Sequence, residues 1–492
     1  MPDAPSPASR FLAAAWRALG GSEAWLGRIE ISGSGDLPSA FAVADLAAAS
    51  IGAAALAVAE RAASAMSRPP NAVVDRRLAS LWFGFSLKPQ GWTLPPVWDP
   101  IAGDYPAADG WIRLHTNAAR HRAAALAALG CAGERDAVAA AVRGWRADAL
   151  EAAIVARGGC AAVMRSLAAW ADHPHGRAVA AEPLVLFDKC EAFGPAGGPI
   201  DPTRPLAGVR VLDLTRILAG PVATRFLAAY GADVLRIDPP DWDEPSVAPE
   251  VTLGKRCARL DLAEPGGRER FLALLGQADI IVHGYRPGAL DALGLGEVER
   301  RRARPGLVDV SLDAYGWSGP WAGRRGFDSL VQMSAGVAEE GMRRFGKDKP
   351  TPLPVQALDQ AAGYFLAAAA VRALTKRAAS GAGSSSRLSL ARAAALLATG
   401  RIDADAPFAP AGEADYAPEI EPTDWGPARR FTPPAAVGSA SMWRARPAAH
   451  LGAAPPPPGD AFNRLARRLT ASPARMRRNV AEYATGAFAS RP

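Results

Sequence analysis

The sequence predicts a mixed α/β protein, with a doubly wound parallel sheet and a smaller, mostly helical α+β domain. Short β-branched runs alternate with helical patterns over residues 206–400, which is typical of a parallel sheet with helices on both faces. A stretch dense in Gly and Pro precedes this region, and we place a linker at 196–205. The preceding residues, 1–195, are rich in Ala at helical spacing, which favours a separate helical region.

The elements of the 206–400 region follow one another at short intervals. The predicted strands are VRVLDLT (209–215), ADVLRID (232–238), CARLDL (257–262), DIIVHGY (279–285) and GLVDVSLDAYG (306–316). The predicted helices between and after them are 220–231, 266–278, 289–296 and a long apolar one that begins near Asp359. Pro221 suits a first helical turn, and Gly231 suits a helix end.

The flanking regions differ in character. Helical patterns occupy 45–63, 121–130 and 146–159 of the first region. Residues 401–492 are rich in Pro and end in an Arg-rich stretch, so we expect irregular structure there and a disordered tail.

An internal similarity links the two main regions. VADLAAASIGAAALAV (43–58) resembles VQALDQAAGYFLAAAAV (355–371), and aligning Asp45 with Asp359 also aligns 71–83 with 385–397 without a gap. Two interpretations remain open: chance similarity of Ala-rich helices, or a decayed second copy of part of the main fold.

Composition narrows the class of protein. The 492 residues are 49% hydrophobic and 21% charged, with a net charge of +7, which indicates a globular protein of several domains. The four cysteines are scattered and match neither a zinc motif nor a disulfide framework. We expect a cytoplasmic protein without a secretory signal or membrane span. The basic residues outside the tail are dispersed, which disfavours nucleic-acid binding.

Asp359 is the most interesting single residue. Asp is favoured at helix N-caps, and that is the simpler interpretation. Alternatively, a carboxylate held at a helix start among apolar neighbours can act as a nucleophile.

Other candidates lie next to predicted strands. The turn DLTRILAGPVAT (213–224) follows the first strand, where ligands bind in doubly wound sheets, but it lacks the glycines of a dinucleotide site. Lys255 and Arg256 precede one strand, while Tyr285 and Arg286 follow another. We expect all four to face the ligand edge and to suit a phosphate-bearing ligand, the alternative being a solvated basic loop. The Gly-rich loop 314–332 contains two tryptophans and Asp328, and His173 and His175 suggest at most a weak metal site.

Together these segments resemble the family III CoA-transferases of CaiB/BaiF type, which include formyl-CoA transferases and α-methylacyl-CoA racemases. The similarity follows the family's order through PLAGVRVLDLTRILAGPVATRFLAAYGADVLRID, GKRCARLDLAEPGGRERF, ADIIVHGYRPGALDALGLG, GLVDVSLDAYGWSGPWAGRRGFDSLVQ and PVQALDQAAGYFLAA. It implies a Rossmann-like CoA-binding domain at 206–400. Residues 95–190 are similar to the family's small domain, and the segment up to about 452 is similar to its closing segment. The small-domain region thus comes first, which implies a duplicated or permuted order.

The resemblance implies a role for each candidate residue. It makes Asp359 the nucleophile of a CoA transfer between an acyl-CoA thioester and a carboxylic acid. The positions that it implies for substrate and CoA binding are Ile217, Leu218, Ala219, Lys255, Arg256, Gly284, Tyr285, Arg286, Gly326, Phe327 and Asp328. It implies no metal and no permanently bound cofactor, with coenzyme A and acyl-CoA as substrates, and either a homodimer or an intrachain pseudo-dimer.

Departures from the family pattern leave two other functions open. Residues 338–354 replace a Gly-rich loop with a charged one, and Phe327 stands where racemases of the family have His. One alternative is an acyl-CoA racemase or isomerase on the same fold, although racemisation needs a second acid/base that Phe327 does not supply. The other alternative is a catalytically inactive relative that binds CoA esters. No strand–helix unit precedes Asp45, so we expect no complete site there.

Overall fold

A computed structural model describes residues 5–192, 198–402 and 407–454 of the chain. The predicted linker is therefore described from residue 198 onward, and the predicted disordered tail lies outside the described residues. Below, the N-terminal region means residues 5–192, and the C-terminal region means residues 198–402 and 407–454.

The N-terminal region contains eight of the described α-helices. They are α1 (Pro7–Ala18), α2 (Val43–Ala63), α3 (Arg76–Trp82), α4 (Ala119–Leu129), α5 (Arg135–Arg143), α6 (Ala147–Ala156), α7 (Leu167–Asp172) and α8 (Pro174–Ala181). Its strands are β1 (Ile29–Ser32), β2 (Ala72–Asp75), β3 (Leu87–Pro89), β4 (Gly103–Pro106), β5 (Trp111–Leu114), β6 (Ala161–Val163) and β7 (Leu186–Ala192). Strands β4, β5 and β6 form a small antiparallel sheet, and α4, α5 and α6 pack against it around Ile112, Leu150 and Ile154.

The C-terminal region alternates strands and helices up to α16. Its strands are β8 (Arg210–Leu214), β9 (Asp233–Asp238), β10 (Arg256–Arg259), β11 (Ile280–His283), β12 (Val308–Asp313), β13 (Ala382–Ser389), β14 (Glu421–Thr423), β15 (Gly426–Arg430), β16 (Ala435–Val437) and β17 (Ala440–Ser441). Its helices are α9 (Ala219–Ala229), α10 (Ala248–Val251), α11 (Pro265–Leu275), α12 (Glu297–Ala303), α13 (Asp328–Ser334), α14 (Val337–Arg344), α15 (Ala357–Ser380) and α16 (Leu390–Leu397).

A seven-stranded sheet forms the centre of the C-terminal region. Its order is β10-β9-β8-β11-β12-β13-β7, and every pair is parallel except β13 with β7. The mixed α/β class and the parallel sheet are therefore confirmed. The chain moves outward from β8 to β10 on one side and from β11 to β13 on the other, so the strand order reverses between β8 and β11.

Two local predictions are corrected. The predicted helix at 289–296 is only a short 3₁₀ turn (Asp291–Leu293), because Gly288 and Gly294 adopt φ of +78° and +68°, outside the helical range. Residues 401–454, predicted to be irregular, contain four short strands in their described part. Two of these strands, β15 and β16, pair with β3 and β2 of the N-terminal region. A Pro-rich sequence gives no sign of such distant pairing.

The internal similarity extends to details of backbone geometry. Both α2 and α15 begin after an N-cap residue of unusual conformation, Ala42 (φ −72°, ψ 64°) and Gln356 (φ −75°, ψ 65°). Each is the centre of a tight turn that closes with an N···O distance of 2.8 Å, from Val43 N to Phe41 O and from Ala357 N to Val355 O. The alignment also pairs Asp75 with Ser389, and each side chain caps the helix that follows its strand.

The two regions exchange strands. Strand β7 of the N-terminal region pairs antiparallel with β13, and β16 of the C-terminal region pairs antiparallel with β2. Each receiving strand also has a parallel neighbour on its other side: β12 pairs with β13, and β1 pairs with β2. Helices α2 and α15 pack along each other in the shared core. The two regions are therefore tied together by main-chain hydrogen bonds as well as by apolar packing.

Candidate functional site

The turn after β8 lies where the strand order reverses. Arg216 follows β8 and donates from Nη2 to the Tyr285 hydroxyl, 2.9 Å away, just beyond the end of β11. The same guanidinium lies 5.2 Å from the Tyr285 ring centre and 5.1 Å from that of Trp242. A cavity of about 190 Å³ adjoins Arg216 and Tyr285 and extends to Asp238, at the end of β9. This is the crevice in which ligands of open parallel sheets bind.

The next residue, Ile217, holds a strained backbone conformation. Its φ of +63° is rare for a β-branched residue and costs about 1–3 kcal/mol. Its N–H donates to Glu244 Oε2 at 2.8 Å, and Glu244 is paired with buried Arg236 at 2.5 Å. Burial raises the pKa of Glu244. Leu218 and Ala219 follow as largely buried residues at the start of α9.

Lys255 is buried beneath the start of α9 and is not exposed to a ligand. Its ammonium group is buried, 2.9 Å from Asp213 Oδ2 and 3.0 Å from the Pro221 carbonyl oxygen, and burial lowers its pKa. Asp213 also accepts hydrogen bonds from Thr215 and Thr224. The residue therefore holds the start of α9 against β8, and its geometry does not support the predicted contact with a phosphate.

Arg256 is also misplaced by the prediction. It begins β10 and pairs with Asp233, which begins β9, at 2.8 Å. Because β9 and β10 are parallel, both residues lie at the amino edge of the sheet, opposite Tyr285. Residues that precede a strand and residues that follow one occupy opposite edges, so the expectation that all four basic and aromatic positions share one edge is wrong.

Asp359 is the third residue of α15 and does not cap it. The N-cap position belongs to Gln356, without a side-chain capping hydrogen bond. The Asp359 side chain is half-buried and has no hydrogen bond to any residue that the structure describes. Burial, and then the neighbouring carboxylate of Asp328, raise its pKa well above the usual value. The carboxyl group is therefore free for chemistry rather than used in the fold.

Asp328 contacts the backbone of Asp359. It is fully buried at the start of α13, and its Oδ2 accepts the N–H of Asp359 at 2.9 Å. The Gln332 amide donates to its Oδ1 at 2.5 Å, and burial raises its pKa. Hydrogen-bond donors favour the charged form of Asp328, whereas no described residue donates to the Asp359 side chain. We infer that Asp359 holds the proton that the pair retains.

Helix α15 is close to the strained turn. A Cβ on Gly363, one turn after Asp359, would lie 2.5 Å from the Ala219 carbonyl oxygen and 2.8 Å from the Val222 side chain. Only glycine permits this approach of α15 to α9. The Ile217–Ala219 turn and Asp359 are therefore on adjoining helix starts, as the prediction of one common site requires.

An aromatic wall from the N-terminal region covers the loop before Asp328. The His115 ring stacks on Phe327 with centroids 3.7 Å apart, and His121 contacts the same ring edge-on at 5.8 Å. Burial lowers the pKa of His115 to about 3 and that of His121 to about 4, so both rings are neutral at pH 7. Gly326 is needed here, since a Cβ would lie 2.6 Å from Ala314 Cβ. The segment HTNAARH (115–121) carries both histidines, but its spacing alone gave no signal for this contact.

Four arginines lie near Cys160, which belongs to the apolar cluster against which Phe327 packs. Burial raises the pKa of the Cys160 thiol to about 12, while Arg325, Arg120, Arg324 and Arg286 oppose that rise. Arg324 is engaged with Glu151 at 3.2 Å, whereas Arg286 and Arg120 are exposed and Arg325 is half-buried. Gly284, which precedes Tyr285, is exposed as well. Of these cations only Arg286 was predicted; Arg120, Arg325 and Arg216 were missed because their neighbours are distant in sequence.

The remaining candidates have structural roles. His175 bonds to the Tyr315 carbonyl oxygen at 2.8 Å, and His173 stacks on Trp170. Among the described residues there is no cluster of three or more metal-binding side chains. Asp45, the counterpart of Asp359, pairs with Arg76 at 3.0 Å beside a cavity of about 600 Å³. Unlike Asp359 it is neutralised by a cation.

One described helix, α2, is long and apolar enough to cross a membrane by composition. The most apolar stretch of α2 is 89% buried, as in the core of a globular protein.

Comparisons with known proteins find similarity over part of the C-terminal region. Residues 206–425 match the model of CoA-transferase family III. An acyl-CoA transferase of Gibberella moniliformis is 33% identical over 219 residues, covering 42% of this chain and 38% of the relative. The succinyl-CoA:glutarate CoA-transferase of Mus musculus is 32% identical over 192 residues, covering 36% of this chain and 43% of the relative. A solved structure from Mycobacterium tuberculosis is 31% identical, with a TM-score of 0.36, covering 40% of this chain and 58% of that one.

The chain thus spans less than half the length of these two curated relatives. The matched segment contains β8 to β13, the strained turn, Asp328 and Asp359. Residues 206–425 are therefore similar to CoA-transferase family III.

Proposed function

We propose that this chain is a CoA-transferase that moves CoA from an acyl-CoA thioester to a carboxylic acid through covalent bonds to Asp359. The observation that carries the proposal is the half-buried Asp359 carboxyl group, which has no hydrogen-bond partner among the described residues and sits above Asp328. The family of residues 206–425 and the names of its relatives support CoA transfer as the reaction class.

Four steps would complete the exchange. The Asp359 carboxylate attacks the thioester carbon and releases CoA thiolate, forming an acyl-aspartyl anhydride. The thiolate attacks the aspartyl carbonyl, which frees the first acid and leaves an aspartyl-CoA thioester. The incoming carboxylate attacks that thioester, giving a new anhydride and CoA thiolate. The thiolate attacks the new acyl carbon, so the new acyl-CoA leaves and Asp359 is regenerated.

The protein supports these steps by positioning and by excluding water. The N–H of Asp359 is fixed by Asp328, so the attacking carboxylate has a defined position. The stacked rings of Phe327 and His115 supply an apolar cover, which protects an anhydride from hydrolysis. Both histidines are neutral, so neither protonates the thiolate.

We place CoA along the carboxyl edge of the doubly wound sheet. Its nucleotide end would occupy the crevice between Arg216 and Tyr285, with the Ile217–Ala219 turn and Gly284 beside it. Arg286, Arg325 and Arg120 replace Lys255 and Arg256 as the proposed phosphate partners, because they are accessible cations near Phe327. The pantetheine arm would then run past Gly326 toward Asp359.

We further propose that one chain forms an intrachain pseudo-dimer with a single complete site. The strand exchange and the matching starts of α2 and α15 support this assignment. Asp45 is paired with Arg76 and therefore takes no part in the transfer. Location in the cytoplasm remains a prediction.

The test is to trap the covalent intermediate. The protein is incubated with acyl-CoA, treated with hydroxylamine or borohydride, and mapped by mass spectrometry. We expect modification of Asp359, abolished in Asp359→Asn and unchanged in Asp45→Asn, the matched control. CoA-ester binding without modification would favour the inactive alternative. Exchange of the α-proton with solvent deuterium, in the absence of an acid acceptor, would favour the racemase.

A further inference from the structure

A buried cluster of arginines lies away from the proposed active site, where the two regions meet. It consists of Arg225 on α9, Arg430 on β15 and Arg444 after β17, together with Glu250, Glu421 and the ring of Trp82. The guanidinium carbons of Arg225 and Arg444 lie 4.9 and 4.7 Å from the Trp82 ring centre. The N-terminal region thus supplies the ring, and the C-terminal region supplies the cations.

Both carboxylates of this cluster already have arginine partners and accept further hydrogen bonds. Glu250 is paired with Arg225 and lies 2.9 Å from Arg430 Nη1, and it also accepts from the Ser86 N–H at 3.1 Å and hydroxyl at 2.8 Å. Glu421 pairs with Arg430 at 2.5 Å and accepts the Ala448 N–H at 2.6 Å. Three guanidinium groups against two carboxylates leave one positive charge in excess.

Arg444 carries this excess charge. Among the described residues it has no hydrogen bond and no ion pair, and its Nε and Nη2 atoms are buried without a partner. Burial, followed by the charges of Arg225 and Arg430, lowers the pKa of Arg444 to about 9, so it remains a cation at pH 7. A buried cation without a counter-charge is strongly unfavourable.

The other unpartnered atoms of the cluster are donors too. Arg225 Nη2 and the Tyr230 hydroxyl are both buried without a hydrogen-bond partner of their own among the described residues, and Tyr230 is 0% exposed. The Arg225 guanidinium also interacts with the neighbouring Tyr364 hydroxyl, which is neutral and does not offset the positive charge. The nitrogens of arginine cannot accept hydrogen bonds, so these donors need an acceptor from outside the cluster. The excess positive charge favours an acceptor that is negatively charged. Arg444 as a whole is half-buried, which leaves a route from solvent.

We propose that a small monovalent anion, of chloride size and chemistry, binds at Arg444, Arg225 and Tyr230. It would neutralise the excess charge and accept the unpartnered N–H and O–H groups. Trp82, α9 and the segment after β17 meet there. The bound anion would therefore stabilise the contact of the segment after β17 with α9 and with the N-terminal region. This site is independent of Asp359 and of the proposed CoA transfer.

The first experiment measures thermal unfolding of the full chain while sodium gluconate is replaced by sodium chloride at constant ionic strength. Binding to the folded state alone raises Tm by about 2 °C for each tenfold increase in chloride above the Kd. We expect this rise in the wild type and in Arg68→Met, an exposed control. We expect no chloride-specific rise in Arg444→Met. Equal rises in wild type and Arg444→Met would overturn the proposal and indicate an adventitious ion only.

A second measurement keeps the test decisive if Arg444→Met fails to fold. Tyr230→Phe removes only one donor, and we expect it to weaken the chloride dependence several-fold. The ³⁵Cl NMR signal should broaden when chloride binds to the wild type. It should narrow again when bromide displaces the chloride. A formate series distinguishes a carboxylate ligand from a halide; a larger Tm rise with formate, lost in Tyr230→Phe, would support a carboxylate end at the same donors. Unchanged linewidth together with no anion dependence of Tm would refute the site.

Discussion

At the scale of single residues, the Asp328–Asp359 pair determines how the site responds to pH. Both pKa values are raised, and burial is the largest cause for each. No described residue donates a hydrogen bond to the Asp359 side chain, so nothing among them stabilises its charge. Ionisation of Asp359 therefore lowers the free energy of unfolding of the wild type. The position of the Asp359 carboxylate therefore reduces the stability of the folded protein.

Asp359→Asn is expected to stabilise the protein at alkaline pH. A folded-state pKa above 3.8 gives stability that is fully present below that value and is lost as pH rises through the raised pKa. The variant does not suffer this loss, so its advantage should grow as pH rises from 3.8 through the raised pKa of Asp359, to about 1–3 kcal/mol. Thermal unfolding across that range measures the effect. A constant difference would contradict the inferred protonation.

Asp328→Asn should shift the pH–rate profile. Removing the neighbouring negative charge lowers the pKa of Asp359, so the acidic limb of the kcat/KM profile moves to lower pH. The Asn amide oxygen can still accept the Asp359 N–H, so we expect the maximal rate to fall about tenfold rather than vanish. An unshifted limb would show that Asp328 does not set the pKa of its neighbour.

At this scale, how well the sequence predicts the surroundings of a residue depends on how near its partners lie in the chain. Asp359, Tyr285 and the Ile217 turn could be located because each follows or opens an element with a clear pattern. Lys255 and Arg256 could not, since their partners Asp213 and Asp233 are 42 and 23 positions away in the chain. The His115–Phe327 stack joins two regions whose contact no local pattern encodes.

At the scale of elements, the close approach of α9 and α15 fixes the geometry of the site. The predicted strands and helices agree with the structure where apolar periodicity was strong, as in β8, α9 and β9. The prediction of a helix at 289–296 is wrong because the spacing of the leucines is typical of a helix, whereas Gly288 and Gly294 adopt conformations that prevent one. Short strands such as β16 exist only because a remote edge receives them.

Gly363→Ala is the direct test of this approach. The new Cβ would overlap the Ala219 carbonyl oxygen at 2.5 Å, and separation of the helices should cost about 1–3 kcal/mol and reduce the transfer rate. Gly266→Ala in α11 is the matched control, because nothing lies within 4 Å of its Cβ and stability should not fall. Urea unfolding compares the two variants. Equal stabilities would contradict the proposed contact.

At the scale of the whole molecule, strand exchange makes the two regions one unit. The sequence suggested a duplication but could not reveal that β7 and β16 cross over, because each pairing joins residues far apart in the chain. The His115–Phe327 stack is a further contact between the two regions.

Cutting the linker should therefore leave the molecule assembled. A protease site inserted at Gly198, which is exposed, would allow the folded chain to be cleaved into two pieces. We expect both pieces to elute together at the size of the intact chain under native conditions. They should separate only in denaturant. Native separation would show that the exchanged strands do not hold the regions together.

The position of β16 also has a consequence during synthesis. Strands β1 and β2 emerge from the ribosome early, but residues 435–437, which cover the free edge of β2, are made more than 350 positions later. Until then Val73 and its neighbours offer open main-chain groups to any passing strand. We therefore expect the nascent N-terminal region to depend on protection of this open edge until residues 435–437 are made.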